Sequence, residues 1–367
     1  MPSPAVYPLR LLQVGKETTP GTPVPATWQL VGESVLTPLI TRYFSEYPRG
    51  VITPVTGGGT PLLQGVNLIT NTDLSYEELI YPLNLGLATG VITGAGADKT
   101  HTFTPVLTGN PGIQTATAEY AMSDGTATAF PFPGATGFPL TAQSAYLFST
   151  GFDITWAFNA IATAQYRYSG RAAAFAPAAV PTPALTVMTG RERIPSNLVR
   201  LSMDPTWAGL GTTTLTGVVR SGKLTFVSGI EPDYTTDGRA ALDFTQLRWG
   251  MDRFFTLQLV LEMDATSAAE IKAWVAQNAG GGAISPNAAA GGTVALRFIR
   301  FEVTSPNVLG ASARRIRIDN SMIYTKEPVF TQQNRAEIVT MELKSEYDPV
   351  SARSFAAAIV NSLPTFT

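Results

Sequence analysis

The sequence has no cysteine and a single histidine, His101, among its 367 residues. Without cysteine there is no disulfide framework, thiol nucleophile or zinc–thiolate site. One histidine excludes histidine-rich zinc sites and leaves Cys-His and Ser-His-Asp triads excluded or unsupported. His101 lies between Thr100 and Thr102 without an acidic neighbour, a setting typical of a surface residue. We therefore expect no catalytic, cofactor-binding or metal-binding residues.

Charge and long apolar runs are also scarce. Charged residues make up 14% of the chain, below the roughly 25% of ordinary soluble domains. The net charge of −2 gives no sign of a nucleic-acid-binding face, which needs clustered positive charge. No run of about 18 uncharged apolar residues occurs, so we predict no membrane-spanning helix. Residues 1–16, interrupted by prolines, do not have the pattern of a secretory signal.

The apolar pattern is that of β-strands separated by turns rich in Gly, Pro and Thr. Residues 255–263 have apolar side chains at every odd position, and residues 339–347 alternate similarly. This period of two predicts a sheet with one buried and one solvated face. Residues 151–168 are predicted to form a hairpin, and a slip in alternation between Phe298 and Phe301 predicts a bulge. The fold class is therefore predicted to be mainly β.

Two segments have helical patterns. The first covers about residues 75–89, begins at the capping-box pair Ser75 and Glu78, and contains Pro82, which should bend it. The second covers about residues 267–279 and begins near Thr266 or Ser267. Ser267 follows Ser75 by 192 residues, and strand patterns recur at that offset. We hypothesise two copies of a strands–helix–strands unit, although a strand-rich chain can also produce this order by chance.

This hypothesis divides the chain into four parts. Residues 1–28 form an extended N-terminal arm, and residues 29–170 form the first β domain with the helix at about 75–89. Residues 171–198 are an Ala/Pro-rich linker. Residues 199–367 form the second β domain with the helix at about 267–279. Residues 93–142 contain hairpin-like pieces and are either a bridge to a neighbour or a disordered surface loop.

Residues with potential chemistry have simpler explanations. The glycine cluster at residues 56–65 lacks the Lys-Ser/Thr of a phosphate-binding loop. Glu77 and Glu78 are predicted in the first turn of a helix, where the helix dipole favours acids. A group of arginines is interpreted as a solvated or subunit-facing sheet face, because acids close in sequence neutralise it. The group consists of Arg297, Arg300, Arg314, Arg315 and Arg317.

The segment "LLQVGKETTPGTPVPATW" at residues 11–28 resembles the N-terminal signature of the major tail tube proteins of long-tailed, siphovirus-type bacteriophages. The matching positions are Gly15, Glu17, Thr18, Gly21, Thr22 and Pro25. Residues 73–90 resemble the helix of that family, and residues 100–105 with 115–120 resemble its middle strands. Residues 204–217 resemble the start of its later half. The resemblance thus extends over most of the chain.

The resemblance implies a structural subunit made of tail-tube-like β-sandwich or barrel units, each with one flanking helix. Such subunits assemble into stacked rings that form a hollow conduit for genome DNA during ejection. With two units per chain, three chains would close a ring, and with one unit six would be needed. The repeat favours three.

The resemblance also implies partners and a location. The partners are other copies of the chain, a tape measure protein in the lumen, and tail terminator and baseplate or tip proteins. DNA passes without sequence-specific binding, and no membrane is involved. The location is the virion tail, after assembly in the host cytoplasm.

A stiff arm rich in Pro and Thr suits contact with a neighbouring subunit, and deleting residues 1–27 is predicted to abolish tube assembly while the β core stays folded. The candidate interface residues are Glu17, Thr18, Pro20, Gly21, Pro25, Trp28, Arg315 and Arg317. Because cations in the lumen would hold DNA phosphates, we expect a neutral or acidic lumen with the arginines facing elsewhere.

Two other function classes remain open. One is a β-sandwich adhesin, decoration or carbohydrate-binding module of a virion, against which the absence of an Asp-x-Asp calcium-type loop counts. The other is a carbohydrate-active enzyme that uses two acids, against which the absence of any marked catalytic group counts. The structural subunit is therefore the preferred interpretation.

Overall fold

The computed structural model describes residues 10–26, 28–43, 60–87, 90–94, 98–105, 112–122, 140–171, 191–235, 243–250, 252–279, 296–309, 312–333, 336–363 and 366. Within them the fold is mainly β, as predicted. The strands before residue 171 are β1 (Arg10–Lys16), β2 (Trp28–Gln29), β3 (Glu33–Tyr43), β4 (Thr60–Asp73), β5 (Val91–Thr93), β6 (Lys99–Phe103), β7 (Ala116–Met122), β8 (Leu140–Ala157) and β9 (Thr163–Gly170).

The later strands are β10 (Val199–Asp204), β11 (Val219–Val227), β12 (Ile230–Asp233), β13 (Gln246–Trp249), β14 (Phe254–Glu262), β15 (Arg297–Leu309), β16 (Ser312–Tyr324), β17 (Val329–Gln333), β18 (Ala336–Ser345) and β19 (Phe355–Asn361). The helices are α1 (Ile80–Gly86) and α2 (Ala265–Ala279). The predicted strands at 255–263 and 339–347 and the hairpin at 151–168 correspond to β14, β18 and β8–β9.

Eight strands form one continuous antiparallel layer, which we call the eight-strand run. Its order is β3–β4–β9–β8–β11–β14–β18–β17. The first four strands come from the first half of the chain and the last four from the second half. The halves are joined by the pairing of β8 with β11, which we call the junction.

The two halves of the eight-strand run have the same order of connection. In the first half β3 pairs with β4, α1 follows, and the chain returns as β8 and β9, with β9 beside β4. In the second half β11 pairs with β14, α2 follows, and the chain returns as β17 and β18, with β18 beside β14. By this order β18 corresponds to β9, so the constant offset of 192 residues does not hold for the strands after the helices. The offset changes after the helices because the intervening segments differ in length.

A second layer covers the eight-strand run. Its order is β10–β15–β16–β19–β6–β5, and the layers connect where the end of β16 pairs with the end of β18. Aromatic rings pack between the layers: Trp156 of β8 lies 5.2 Å from Phe301 of β15, and Phe255 of β14 lies 5.0 Å from Phe355 of β19, centroid to centroid. Burial of each such ring stabilises the fold by about 2 kcal/mol.

The first half contributes two further features to this core. Strand β1 pairs with β7 along its whole length, so the described part of the N-terminal arm lies on its own chain. Every residue of α1 is buried, which goes beyond the single apolar stripe that the sequence predicted. The pairing of β6 with β19 further ties the halves together.

Helix α1 is shorter than predicted. It begins at Ile80 rather than near residue 75 and ends at Gly86 rather than near residue 89. A start at residue 75 would put Pro82 in the helix interior, where proline removes a hydrogen bond and clashes with the preceding turn. With a start at Ile80, the missing N–H falls in the first turn, where no intrahelical partner exists. The buried Ser75 hydroxyl donates to the Glu78 carboxylate at 3.4 Å instead of capping the helix.

The second helix, α2 (Ala265–Ala279), ends where the sequence predicted, but its cap differs. Oδ1 of Asp264 accepts the backbone N–H groups of Thr266 and Ser267 at 2.8 and 2.9 Å, so Asp264 is the N-cap. The Ser267 hydroxyl accepts the backbone N–H of Asp264 at 2.7 Å and completes a reciprocal capping box. Glu270, the partner predicted from sequence, binds an arginine of β15 instead.

The bulge predicted between Phe298 and Phe301 is absent, because β15 pairs with β16 without a shift there. The irregularity lies between Thr304 and Val308. Phe298 breaks the alternation because it is buried on the outer side of the strand, where its ring lies 6.1 Å from that of Trp207. Residues 172–190 of the predicted linker, and residues 106–111 and 123–139 of the stretch at 93–142, lie outside the described residues.

Candidate functional site

One face of the eight-strand run is buried and the opposite face is polar. On β8, Phe152, Ile154 and Trp156 point into the core, so Asp153 and Thr155 lie on the opposite face. The strand register aligns polar side chains in rows across that face, which we call the polar face. One row consists of Asn71, Gln165, Asp153, Thr225, Thr256 and Lys344. The next consists of Asp73, Thr163, Thr155, Lys223, Gln258 and Glu342.

The polar face is hollowed in both halves of the run. One hollow lies over β4, β8, β9 and β11, and its lining includes Asn71, Asp153, Gln165 and Lys223. A second lies over β11, β14 and β18, and Lys223 is part of its lining as well. The face therefore carries two hollows lined mainly by hydroxyl, amide and charged groups.

Arg167 and Lys223 on this face are held by one acid. Nη1 of Arg167 donates to Oδ2 of Asp153 at 2.7 Å, and Nζ of Lys223 lies 3.1 Å from the same oxygen. Burial opposes ionisation of Asp153, but Arg167, Thr225 and Lys223 outweigh it and hold its pKa below its usual range. At the margin of the face, Arg193 lies 3.1 Å from Asp73. These carboxylates therefore compensate much of the positive charge of the face.

The two ends of the eight-strand run are open edges. Among the described residues β3 pairs with β4 alone, and β17 pairs with β18 alone. Both edge strands expose large apolar side chains: Val35 and Ile40 of β3 are 50% and 53% exposed, and Val329 and Phe330 of β17 are 56% and 59% exposed. An exposed apolar edge strand is a template for pairing with another chain.

The junction between β8 and β11 requires a glycine. Its antiparallel register extends from Gly151 opposite Val227 to Ala157 opposite Ser221. Gly151 has φ of 148°, a value that residues with a side chain rarely adopt. A Cβ at this position would overlap the carbonyl oxygen of Phe226 on β11. The absence of a side chain therefore allows the two halves to approach each other.

No protein-family model matches this sequence, and no curated protein matches it either. Function is therefore inferred from the polar face, the junction and the edge strands.

The candidate interface residue Glu17 lies in the interior of its own chain. Its carboxylate accepts the backbone N–H groups of Gly21 and Tyr146, both at 2.7 Å, and the hydroxyls of Thr115 and Thr117 at 2.7 and 3.0 Å. It thereby fixes the turn at residues 18–22 against β7 and β8. Glu17 positions the arm rather than presenting its own side chain to a neighbour.

The other candidates from the arm divide into exposed and buried residues. Thr18, Pro20 and Pro25 are exposed, and Gly21 is half-buried with φ of 81°. Trp28 is buried, 6.2 Å between ring centroids from Tyr81 of α1 and from Phe366. Only the exposed group is available for contact with another chain.

Arg315 and Arg317 lie on β16 in the second layer, on the side opposite the buried Ile316 and Ile318. Arg317 lies 2.6 Å from Asp319, which also binds Arg300 of β15 at 2.7 Å. Of the other grouped arginines, Arg297 pairs with Glu270 and Arg314 with both Glu77 and Glu192. The grouped arginines are thus outside the polar face.

A buried ionic cluster beside α1 was missed by the sequence reasoning. Glu77 and Glu78 precede the helix instead of lying in its first turn, and both are buried. Glu78 binds Arg191 at 3.0 Å, and Glu77 lies 3.2 Å from Arg314 without hydrogen-bond alignment. Burial raises the pKa of Glu77 to about 7, although Arg314 opposes this. The adjacent acids "EE" were visible in the sequence, but the distant arginines that meet them were not.

His101 was expected at the surface but is buried in β6. Its Nε2 lies 3.2 Å from the carbonyl oxygen of Leu363, and burial lowers its pKa, although that contact opposes the change. The described parts of the chain contain no cluster of three or more His, Cys, Asp or Glu side chains that could hold a metal ion.

None of the helices in the described residues is long and apolar enough to cross a membrane.

Proposed function

We propose that the chain is a structural subunit of a phage tail tube, which self-assembles into rings that stack into a conduit for genome DNA. The observation that carries the proposal is the junction in combination with the open edges. Inside the chain β8, which ends the first half of the eight-strand run, pairs with β11, which begins its second half. The equivalent strands at the two ends of the run, β17 and β3, have no such partner among the described residues.

Repetition of the junction between chains would pair β17 of one chain with β3 of the next. This pairing satisfies the open backbone groups of both edges and covers their apolar side chains. It is a head-to-tail contact, and such contacts close into a ring when the rotation per subunit divides a full turn. Each half would then be one tube unit, and three chains would complete a six-fold ring.

The polar face is the surface suited to surround DNA. It carries two hollows, and Arg167 and Lys223 on it are held by an acid, so it offers few free positive charges to phosphates. The grouped arginines lie in the other layer, which would form the outer wall or contact neighbouring subunits. A tape measure protein would occupy the same lumen before ejection, and terminator and baseplate proteins would bind the tube ends in the virion.

Electron microscopy of the purified chain tests the assembly. We expect rings or stacked tubes for the wild type, and particles no larger than a monomer for Ile40→Lys and Phe330→Lys. A lysine at either edge places an uncompensated charge in the contact between chains, while the exposed position leaves the fold of the subunit intact. Val350→Lys is the matched control, because Val350 is 93% exposed in a turn and belongs to neither edge strand, and it should assemble normally.

Two results would contradict the proposal. A wild-type chain that stays monomeric at high concentration would favour the adhesin, decoration or carbohydrate-binding alternative. Rings that form equally well with Ile40→Lys and Phe330→Lys would show that the edge strands are not the contact.

A further inference from the structure

Asp153 occupies a distinctive position at the centre of the polar face. It lies on β8, and its direct cross-strand neighbours are Gln165 on β9 and Thr225 on β11. Arg167 on β9 lies two residues after Gln165, and Lys223 on β11 lies two residues before Thr225. Both side chains therefore reach Asp153 diagonally across neighbouring strands, within the span that long side chains bridge. One carboxylate thus holds a cation from each half of the chain.

We propose that Asp153 is the specificity-determining residue that prevents the polar face from binding DNA. The proposal takes its biological meaning from the function proposed above, since that function places the face around the genome. Its physical basis is local. Asp153 is almost enclosed, with a side chain 11% exposed, whereas Arg167 and Lys223 are 29% and 46% exposed. The acid is therefore hidden beneath two cations that DNA can reach.

Removal of the acid would raise the net positive charge of the face by one unit. Arg167 and Lys223 would lose their shared partner and would be free to turn toward phosphates. Each phosphate neutralised by a cation steepens the dependence of log K on log salt concentration by about 0.9. The variant gains one net positive charge, so the slope should steepen by about 0.9 and DNA binding should tighten severalfold at low salt.

The test uses the full-length chain and a short fluorescent DNA duplex, with binding measured by fluorescence anisotropy over a series of salt concentrations. Asp153→Asn removes the charge and keeps the shape of the side chain. Asp264→Asn is the matched control, because it removes the same charge from the N-cap of α2, where asparagine caps as well as aspartate. The triple variant Asp153→Asn, Arg167→Gln, Lys223→Gln removes the released cations too. Lys344 is a further cation of the polar face, but it is unchanged in every variant, so its contribution to DNA binding cancels in the comparison.

We expect Asp153→Asn alone to gain salt-sensitive binding, with the control and the triple variant remaining at the wild-type level. Equal binding by Asp153→Asn and the wild type would overturn the proposal, as would equal gains in Asp153→Asn and Asp264→Asn. If Asp153→Asn does not fold, Asp153→Ser, which retains a hydrogen-bonding oxygen, gives the same reading. The assay needs no assembled tube, so a failure here is distinct from a failure of the wild type to form rings.

Discussion

The N-terminal signature depends on the buried carboxylate of Glu17. Four donors converge on it, two of them backbone N–H groups from Gly21 and Tyr146. In Glu17→Gln one oxygen becomes an NH₂ group, so at least one buried donor loses its acceptor. We expect a loss of about 2 kcal/mol in the free energy of unfolding, measured with urea. Glu346→Gln, at an exposed position, should change it little, and an equal effect of both variants would refute this role for Glu17.

Glu77 should make stability depend on pH. Its pKa is raised to about 7 by burial, so the folded chain binds this proton more tightly than the unfolded chain, whose carboxyl has its ordinary pKa of 4.5. The contribution is fully present below pH 4.5 and is lost as the pH rises through about 7.

Glu77→Gln should therefore be more favourable relative to wild type at pH 8 than at pH 5, by up to about 3 kcal/mol. Urea unfolding of both proteins across this range measures the difference. Glu346→Gln should give a difference from wild type that does not vary with pH, and the same flat result for Glu77→Gln would contradict the prediction.

At the scale of elements, strands were predictable and helix boundaries were less so. Alternation located β14 and β18 because each has one face in the core and one in water. The starts of α1 and α2 were wrong because the glutamate of each apparent capping box binds a distant arginine instead of capping the helix. Side-chain pairs such as Ser75 with Glu78 have the spacing of a cap, but only the fold decides whether the backbone there is helical. The bulge predicted at Phe298 was wrong for a related reason. The outer side of its strand is also covered, by Trp207.

The candidate site was less predictable than the fold. The resemblance directed attention to the arm, and the structure shows why Glu17 and Trp28 are fixed there. Asp153, Arg167 and Lys223 are distant in sequence and share a face only through the register of three strands. The requirement that a DNA conduit avoid cations predicted a neutral or acidic lumen in general terms, but it did not identify these residues. Long-range strand pairing is the information that a single sequence does not contain.

The pairing of β8 with β11 at the junction depends on Gly151. Gly151→Ala should separate β8 from β11, because its Cβ overlaps the carbonyl oxygen of Phe226. We expect lower stability and faster hydrogen exchange at the backbone amides of residues 221–227 that pair with β8. Gly112→Ala is a suitable control, since a Cβ there meets no atom within 4 Å. Unchanged exchange in Gly151→Ala would mean that the junction tolerates the side chain.

At the scale of the whole molecule, the proposed ring would close with three chains or with six. The matching order of strands in the two halves makes each half equivalent in the run, which favours three chains over six. The hypothesis that each half is a separate unit has to accommodate the pairings β8–β11 and β6–β19, which join them. Within an assembled ring this tie is expected, because neighbouring units would contact each other through the same edges whether or not they belong to one chain.

Because the sequence has no cysteine, cysteines introduced in pairs can count the chains in the proposed ring. We expect one or more of the double variants that combine Phe330→Cys with Val35→Cys, Thr37→Cys or Leu39→Cys to form disulfides between chains under oxidising conditions. A disulfide needs Cα atoms within about 7 Å, so only edges that pair can be linked. Linkage inside one chain is prevented because β17 and β3 lie at opposite ends of the run.

On a non-reducing gel the covalent products should form a ladder that ends at three chains, because the third link closes the circle. A ladder that continues to six chains would support one tube unit per chain and refute the three-chain ring. Each single-cysteine variant is the control and should give no ladder, since its partner position lacks a thiol. If no combination gives a ladder although rings are visible by microscopy, β17 and β3 are not neighbours, and repetition of the junction between chains is the wrong rule of assembly.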